Sequence, residues 1–302
     1  MKIVVIGSIN TDLVINTERL PRIGETINGS GFSVNCGGKG ANQAIAAAKL
    51  GGDVSFIGAV GNDANGEMAL GNLKTGNVST TYIEKVSVNT GVAVITVAGG
   101  DNCIVLDSGA NGMITKEIID KNEGLIKSAD AVIMQLEIPM ETVTYAAQVA
   151  KRHNVKVILN PAPIIALPKE LTDNTDVIIL NETEAEFITG TYPDTKENGK
   201  ECINKLKSMG IEQAIITLGG DGSIYNDGDE IIHQPAFKAD VVDSTAAGDT
   251  FIGAYTIRCD LDIKERIVYA TAASSITVSR KGASSSIPTR DEVEEYLAKQ
   301  SY

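Results

Sequence analysis

The feature that most constrains the fold is a repeated alternation of short apolar runs with longer segments of helical spacing. The apolar runs are rich in Val and Ile and nearly free of polar residues, which predicts parallel strands covered on both faces. Gly51 and Gly210 end two of the helical segments, as Gly commonly does just past a last helical turn. This alternation predicts an α/β fold with a central, mostly parallel sheet and helices on both faces, a Rossmann-like three-layer arrangement.

The predicted elements are numerous enough for one large domain in a chain of 302 residues. The predicted strands are residues 2–7, 54–60, 131–135, 155–159, 177–180 and 214–218. The predicted helices are residues 41–50, 67–74, 141–153, 200–209, 248–259, 263–279 and 290–299.

Two stretches depart from the alternation. Residues 13–34 are polar, contain Pro21 and lack a helical period. Residues 91–97 and 102–106 have the pattern of two strands, and the Gly-rich residues 98–101 between them indicate a hairpin. We expect one α/β domain over residues 1–302, with a small antiparallel β-sheet lid inserted at about 13–36 and 90–108. Such a flap could close over a cleft to exclude water, although extra strands attached to the edge of the main sheet would produce the same pattern.

Composition excludes several classes of function. The formal net charge of −13 argues against nonspecific binding to nucleic acid or to an anionic membrane, because that binding depends on clustered Lys and Arg. No apolar run approaches the length of about 18 residues that a membrane span needs. The four cysteines are scattered without a C-x-x-C motif, which predicts a reducing, cytoplasmic location. With only two histidines, a His-based triad or His-rich metal site is nearly excluded.

The stretch "DSTAAGDTF" at residues 243–251 is the first candidate site. The small residues Ala246, Ala247 and Gly248 allow a sharp turn, and a helix beginning there leaves backbone N–H groups facing open space at its positive end. Asp249 would lie in the first turn beside that anion hole. A carboxylate so placed suits a base that takes a proton from a hydroxyl during phosphoryl transfer. An ordinary helix cap uses the same residue types, so this alternative stays open.

A Gly-rich loop at residues 37–43 precedes an Ala-rich helix and forms the second candidate. The glycines let a ligand approach the backbone, and Lys39 and Asn42 offer hydrogen-bond donors. The P-loop pattern is absent because it needs Gly at position 33 and Ser or Thr at position 40, where the chain has Ser33 and Gly40. A helix-entry loop with a solvated Lys is the alternative.

Three further groups lie at the carboxyl ends of predicted strands, where ligands bind in open α/β sheets. Asn10 and Asp12 follow the first strand; Asn10 could donate to and accept from sugar hydroxyls, and Asp12 could accept from them. Residues 217–222 form a Gly-rich loop that resembles a nucleotide-binding turn. Asn181 and Glu184 could hold a hydrated Mg²⁺. The alternatives are a turn cap, an ordinary hairpin and a helix cap, respectively.

Four motifs together make the chain resemble the ribokinase-type (phosphofructokinase-B type) family of sugar and nucleoside kinases, over essentially all 302 residues. They are G-S-I-N-x-D at 7–12, G-G-K-G-A-N-Q-A at 37–44, N-x-x-E at 181–184 and D-x-T-A-A-G-D-T-F at 243–251, in the family's order. The resemblance implies phosphorylation of D-ribose at its 5-hydroxyl by ATP, giving D-ribose 5-phosphate and ADP. It also implies Mg²⁺, activation by K⁺, and a homodimer formed through the β lid.

The resemblance also implies a role for each matching residue. Asp249 would be the general base, with an anion hole formed by the backbone N–H groups of Ala246, Ala247 and Gly248. The sugar would be bound by Asn10, Thr11, Asp12, Gly38, Lys39, Gly40, Ala41, Asn42, Glu137 and Asp249. ATP would be bound by Asn181, Thr217, Leu218, Gly219, Gly220, Asp221, Gly222, Gly248, Asp249 and Thr271. K⁺ would be held by Asp243, Thr245, Thr277, Arg280, Gly282 and Ser286, several of them through backbone carbonyls, and Mg²⁺ by Glu184 through water.

One departure from the family concerns the nucleotide. Family members often carry a His near the adenine, whereas this chain has Thr271, so a stacking contact with the base is absent and nucleotide preference could differ.

Three alternative functions remain at this stage. The acceptor could be deoxyribose, fructose, a keto-sugar acid, adenosine or pseudouridine. A nicotinamide-dependent oxidoreductase could share the α/β sheet and Gly-rich loops, but the G-x-G-x-x-G motif is missing after the first strand. A non-catalytic sugar sensor could share the whole fold, although the intact Asp249 and its neighbours argue against it.

Overall fold

The computed structural model describes residues 1–99 and 101–300 of the chain. Gly100, part of the predicted hairpin turn, lies outside the described residues, as do residues 301 and 302 of the predicted domain. Numbered along the chain, the strands are β1 (Lys2–Ile6), β2 (Asn10–Thr17), β3 (Ser30–Gly37), β4 (Asp53–Gly61), β5 (Ser79–Val86), β6 (Gly91–Ala98), β7 (Asp101–Asp107), β8 (Ala131–Met134), β9 (Lys156–Leu159), β10 (Val177–Asn181), β11 (Gln213–Thr217), β12 (Ser223–Asp227) and β13 (Glu230–Gln234).

The helices fall largely where helical spacing predicts them. They are α1 (Lys39–Lys49), α2 (Ala64–Thr75), α3 (Lys116–Lys121), α4 (Glu123–Lys127), α5 (Met140–Arg152), α6 (Lys169–Thr172), α7 (Glu182–Thr189), α8 (Lys196–Ser208), α9 (Ala247–Ile257), α10 (Ile263–Val278) and α11 (Arg290–Lys299), with short 3-10 helices at Gly109–Met113 and Gly219–Asp221. The short helices α3, α4 and α6 were not predicted, because four to six residues are too few to establish a period.

The large sheet confirms the predicted fold class. Its nine strands lie in the order β13-β12-β11-β10-β9-β8-β1-β4-β5. The strands from β11 to β5 are paired in parallel, and only the pairings of β12 with β11 and with β13 are antiparallel. Strand β5 was not predicted because its residues are half-buried or exposed at the edge of the sheet, so it lacks a continuous apolar run.

Helices cover both faces of this sheet. Val5 of β1 belongs to the hydrophobic core beneath α1, α9 and α10, whereas the adjacent Val4 belongs to the core beneath α5. This alternation along one strand places the two cores on opposite faces. A third core, beneath α7 and α8, covers one face of β10, β11 and β12. In the described part of the chain, no helix combines the length and apolar character needed to cross a membrane.

Helices α1 and α9 approach each other closely. A methyl group added at Gly253 of α9 would lie 2.6 Å from the Cβ of Ala46 and 2.7 Å from the backbone nitrogen of Ala47 in α1. Both distances are below van der Waals contact, so only Gly allows this separation between the helices. The contact holds the start of α9 beside the start of α1.

The small sheet has the order β3-β2-β6-β7. The pairings of β2 with β3 and of β6 with β7 are antiparallel, as expected, whereas β2 pairs with β6 in parallel. The sheet is therefore mixed, because two hairpins distant in sequence join through their inner strands. The register places Val34, Leu13, Val94 and Val105 in one row across one face.

Candidate active site

The N-terminus of α9 has the geometry that its small residues suggest. Ala246 precedes the helix with φ of 61°, in the left-handed region, and turns the chain sharply into it. No side chain caps this end, but the backbone N–H of Ala247 donates to the carbonyl of Ser244 over 3.2 Å, so an anion bound here would take over that bond as it binds the helix start. The hydroxyl of Ser274 donates to the carbonyl of Ala247 over 2.8 Å and ties the turn to α10.

Asp249 lies half-buried in the first turn of α9, and its carboxylate faces α1. Its Oδ2 accepts a hydrogen bond from Asn42 Nδ2 over 3.0 Å, and its Oδ1 accepts one from Gln43 Nε2 over 2.9 Å. The close approach at Gly253 makes these contacts possible between residues more than 200 positions apart. The predicted base and part of the predicted sugar loop are therefore in direct contact.

Glu137, which follows β8, gathers the segments predicted to bind sugar. Its Oε2 accepts from the backbone N–H of Lys39 over 3.1 Å, from Asn10 Nδ2 over 3.4 Å and from the hydroxyl of Ser8. Gly38 has φ of 96°, and a Cβ there would lie 2.8 Å from the backbone nitrogen of Asn10. Glycine is therefore required for this loop to lie against the start of β2.

Asn111, in the 3-10 helix Gly109–Met113, determines how Asn10 is oriented. Its Nδ2 donates to Asn10 Oδ1 over 2.7 Å, while its Oδ1 accepts from the backbone N–H of Ile9 over 2.9 Å. Because the oxygen of Asn10 is engaged, Asn10 presents its NH₂ group to Glu137 and to the cleft. Asn10, Asn111, Glu137 and Leu106 line a cavity of about 250 Å³.

Charge is concentrated around this cavity. Burial, together with the negative charges of Glu137 and Asp249, raises the pKa of Asp12 to about 6. The Asp12 carboxylate fits against Gly37, where a Cβ would overlap it. Burial opposes the charge of Lys39, but Asp249, Glu137 and Glu184 outweigh burial and raise the pKa of Lys39 above its ordinary value. The site thus combines several carboxylates with one enclosed ammonium group.

Not every predicted sugar residue directs its side chain toward this cavity. Thr11 alternates with Asn10 and Asp12 along β2, so its buried side chain lies on the opposite face of the strand. Any contact with a ligand in the cleft would therefore come from its backbone. Gly40 and Ala41 lie in the first turn of α1, and a Cβ at Gly40 would lie 2.6 Å from the backbone nitrogen of Ser8, so this turn also packs closely on the end of β1.

Most of the predicted nucleotide residues lie at the ends of β10 and β11, whereas Gly248 and Asp249 lie in α9 and Thr271 lies in α10. Asn181 and Thr217 are paired in register on these adjacent strands. The backbone N–H of Leu218 donates to the carbonyl of Gly222 over 2.8 Å and closes the loop that contains Gly219, Gly220 and Asp221. This loop borders a cavity of about 620 Å³ beside the start of α8.

Asn181 and Glu184 form a capping box at the start of α7, the alternative that their spacing had left open. Asn181 Oδ1 accepts from the Glu184 N–H over 2.9 Å, and Glu184 Oε2 accepts from the Asn181 N–H over 2.9 Å. Burial raises the pKa of Glu184, while the bond from Asn181 and the charge of Lys39 act in the opposite direction. The single carboxylate fits a water-mediated contact with Mg²⁺, because this ion keeps most of its waters and its phosphate ligands.

The predicted K⁺ residues lie where the segment before α9 meets the segment after α10. Asp243 Oδ1 accepts from Thr245 N over 2.9 Å, and Asp243 Oδ2 accepts from Gly282 N over 2.9 Å. Burial opposes ionisation of Asp243, but these hydrogen bonds hold its pKa below the ordinary value.

The other side chains of the K⁺ set have partners of their own. Thr277 bonds Thr250, Arg280 pairs with Glu292, and Ser286 bonds the carbonyl of Ala283. The ligands of K⁺ would then be backbone carbonyls and the Asp243 carboxylate, whose oxygens keep lone pairs beyond the hydrogen bonds they accept, and this all-oxygen set fits a hard monovalent cation. Across residues 1–99 and 101–300, no three His, Cys, Asp or Glu side chains cluster as a metal site.

Sequence reasoning missed five polar residues that the structure places in this site: Ser8, Gln43, Asn111, Gln135 and Asn160. Gln135 and Asn160 directly follow strands β8 and β9, so the strand-end rule that found Thr217 would have found them as well. Ser8 and Gln43 lie inside motifs already recognised. Asn111 had no local signal, because its role depends on where its 3-10 helix packs.

Thr271 donates to the carbonyl of Ile267 over 2.7 Å within α10, so its hydroxyl is satisfied locally.

Comparison with known proteins is consistent across sequence and structure. The model of the pfkB family of carbohydrate kinases matches residues 1–290. The chain is 41% identical to a ribokinase of Haemophilus influenzae over 297 residues, covering 97% of each chain. It is 37% identical to a deoxyribokinase of Salmonella typhi over 304 residues, covering 99% of each. The structure of Arabidopsis thaliana ribokinase complexed with ribose and ATP superimposes with a TM-score of 0.93 at 35% identity, covering 98% of each chain.

Proposed function

Because the chain belongs to the pfkB family of carbohydrate kinases, we propose that it is a ribokinase, which transfers the γ-phosphoryl group of ATP to the 5-hydroxyl of D-ribose. The products are D-ribose 5-phosphate and ADP. The observation that carries the proposal is the contact of Asp249, at the uncapped start of α9, with Asn42 of the sugar loop. Its support in known proteins is the similarity to a named ribokinase and to a ribokinase bound to ribose and ATP.

In the proposed mechanism, Asp249 takes the proton of the acceptor hydroxyl as that oxygen attacks the γ-phosphorus. The N–H groups of Ala246, Ala247 and Gly248 donate to the phosphoryl oxygens as negative charge shifts onto them. Asn181, Thr217 and the loop that follows Thr217 would orient ATP. Glu184 would hold Mg²⁺ through a water and Asp243 would help to hold K⁺, and both ions would supply positive charge that offsets the charge of the phosphates.

The sugar would be held by groups of opposite hydrogen-bonding character. Asn10 presents its NH₂ group as a donor, because Asn111 engages its oxygen. Asp12 and Glu137 offer carboxylate oxygens as acceptors, and Lys39 offers an ammonium group. Sugar hydroxyls both donate and accept, so this mixture suits a polyhydroxylated acceptor.

The function is tested by a panel of acceptors assayed for ADP release, with and without K⁺. We expect D-ribose to give the highest kcat/KM, and K⁺ to raise the rate above that in Na⁺. The matched comparison is 2-deoxyribose, because a deoxyribokinase is among the similar proteins and the two sugars differ by one hydroxyl. Higher kcat/KM for deoxyribose or for another acceptor would replace the proposed substrate. The absence of ADP formation with every sugar would favour a sensor on the same fold.

Sugar affinity is expected to fall as the pH drops through about 6, the pKa to which burial, Glu137 and Asp249 raise Asp12. Sugar hydroxyls need the ionised carboxylate as an acceptor, so affinity should fall about tenfold one pH unit below that pKa. Folding stability has the opposite dependence. Because the pKa is raised, ionised Asp12 destabilises the free protein at neutral pH; this penalty declines as the pH falls below about 6 and is gone only below the ordinary pKa of 3.8.

Calorimetric titration of ribose between pH 5 and 8 measures this dependence. The Asp12→Asn variant should bind more weakly at pH 7.5 and show a much flatter pH profile. An equally steep profile in Asp12→Asn would assign the dependence to another group.

We propose that the chain forms a homodimer through the small sheet. The row across its outer face exposes Val34, Val94 and Val105 by 42%, 47% and 66%, an apolar surface of the kind that usually marks an interface. The opposite face carries Asp12, Ala93 and Leu106 and would act as the lid over the sugar.

The Val105→Lys variant is expected to be monomeric, because it introduces a charge at the most exposed valine of that apolar row, on the edge strand β7. Sedimentation velocity at micromolar concentration distinguishes the two states. Val88→Lys is the matched control, since Val88 is 38% exposed but lies outside the sheet, and it should remain dimeric. A wild-type protein that is monomeric at these concentrations would contradict the proposal.

A further inference from the structure

Gln43 is a buried polar residue for which the mechanism so far gives no role. It lies on α1 with none of its surface exposed. Its Nε2 donates to Asp249 Oδ1 over 2.9 Å and to Asn160 Oδ1 over 3.2 Å. Its Oε1 accepts from Gln135 Nε2 over 2.6 Å. Both ends of the amide are therefore engaged, and one of the three partners is the proposed base.

The surrounding groups allow only one orientation of this amide. Asn160 donates through Nδ2 to the carbonyl of Ile179 over 3.0 Å, so Asn160 Oδ1 faces Gln43 as an acceptor. Gln135 presents its NH₂ group and can pair only with an oxygen. Reversing Gln43 would bring its oxygen against those of Asn160 and Asp249, and a buried unpaired polar group costs about 1–3 kcal/mol.

The side chain of Gln135 is held in place by Gly7, the residue that follows β1. Its amide oxygen lies against Gly7, where any side chain would overlap it. Among the described residues this oxygen has no hydrogen-bond partner, so the bond from Nε2 to Gln43 is what orients the group. The order Gly7, Gln135, Gln43, Asp249 is thus a continuous series of contacts that leads from β1 to the base.

The two oxygens of Asp249 consequently differ. Oδ1 is bound by Gln43, which is fully buried and held by two other residues, whereas Oδ2 is bound by Asn42, which is 7% exposed. Asn42 also belongs to the predicted sugar loop and can exchange its bond for one to a ligand. Oδ2 is therefore the oxygen that can receive the proton of the sugar hydroxyl once Asn42 has exchanged its bond.

We propose that Gln43 is a positioning residue that, together with Gln135 and Asn160, anchors Oδ1 of Asp249 so that Oδ2 faces the acceptor hydroxyl. This inference rests on the proposed function, because it acts through Asp249 as the base. Gln43 itself touches neither substrate. Its effect is therefore expected on kcat, and the binding of sugar and ATP should change little.

The first test is Gln43→Met, which keeps the length of the side chain and removes both donors. We expect kcat to fall about 10–100-fold, with KM for ribose and ATP within about threefold of wild type. Gln135 contacts the base only through Gln43, so Gln135→Met should lower kcat less, by about 3–10-fold. If Gln43→Met fails to fold, as judged by circular dichroism, Gln135→Met and the charge variant below still provide readouts.

The charge variant is Gln43→Glu. Its carboxylate still accepts from Gln135 but places a second negative group against Asp249, among the charges of Lys39, Asp12 and Glu184. Two adjacent carboxylates hold a shared proton to higher pH, so the acidic limb of the kcat profile should move up by about one pH unit or more. A residue that only stabilised the fold would not move this limb.

A double-mutant cycle separates positioning from general damage. In an Asp249→Asn background, adding Gln43→Met should change kcat less than about twofold, because the group it positions is already lost. Full additivity, or a normal kcat in Gln43→Met, would overturn the inference while the proposed function stands. Normal turnover in Asp249→Asn alone would overturn both.

Discussion

Replacing Asp249 by Asn is expected to lower kcat by about 10²–10⁴-fold while ribose and ATP binding are largely kept. The amide has almost the same size and remains in the first turn of α9, but it cannot take a proton from the acceptor. A primary alcohol is a weak nucleophile, and the anion hole and the aligned ATP would remain to support a residual rate. Steady-state ADP release gives kcat, and calorimetric titration gives the two affinities.

Asp240→Asn is the matched control for this prediction. Asp240 is an exposed acid in the segment that leads to α9, and its removal changes the net charge by the same amount. Its kcat should stay within about twofold of wild type, since isolated surface charges contribute little. Near-normal turnover in Asp249→Asn would remove Asp249 as the base, whatever the behaviour of the control.

Gly253→Ala is expected to destabilise the protein by about 1–3 kcal/mol, the usual effect of overpacking, and to lower kcat as well. The added methyl group would lie 2.6 Å from Ala46 Cβ and 2.7 Å from Ala47 N, so α1 and α9 must separate. Their separation lengthens the hydrogen bonds from Asn42 and Gln43 to Asp249. Urea unfolding followed by circular dichroism measures the stability, and the ADP assay at 25 °C measures the activity.

Gly71→Ala provides the control, because it is the same substitution inside another helix. Gly71 lies within α2, and apart from its chain neighbours and the nearby backbone of its own helix, no described atom lies within 4 Å of where its Cβ would be. Removing a helical glycine without a clash should stabilise the protein by about 0.5–1 kcal/mol and leave kcat unchanged. Equal effects of the two variants would show that the close packing of α1 on α9 is unimportant.

Local sequence patterns predict the strands whose residues are all buried to a similar degree. Strands β1, β8 and β10 are covered on both faces and therefore contain unbroken apolar runs. Strand β5 is only half-buried, so polar and apolar residues are mixed along it without a regular pattern and no continuous apolar run marks the strand. The turn before Asp249 was predicted because its small residues allow the chain to bend sharply into a helix.

What local patterns cannot supply is which residues meet across the chain. Asn42 and Asp249 are 207 positions apart, and Asn111 reaches Asn10 across 101 positions. The orientation of Asn10 also depends on Asn111, so sequence reasoning left Asn10 as both donor and acceptor. Gln43 lay within a recognised motif, but its role becomes visible only when Gln135, Asn160 and Asp249 are placed around it.

The close contact of Gly253 with α1 has a consequence for how this protein can acquire new substrates. The helix that carries the base and the helix that carries the sugar loop behave as one block, so neither can shift to accommodate a larger acceptor without displacing the other. Directed evolution toward other sugars should therefore succeed through changes at Leu106, at Asn111 or in the segment after β8, which border the cavity from outside that block. Libraries that diversify the paired faces of α1 and α9 should yield mostly inactive clones.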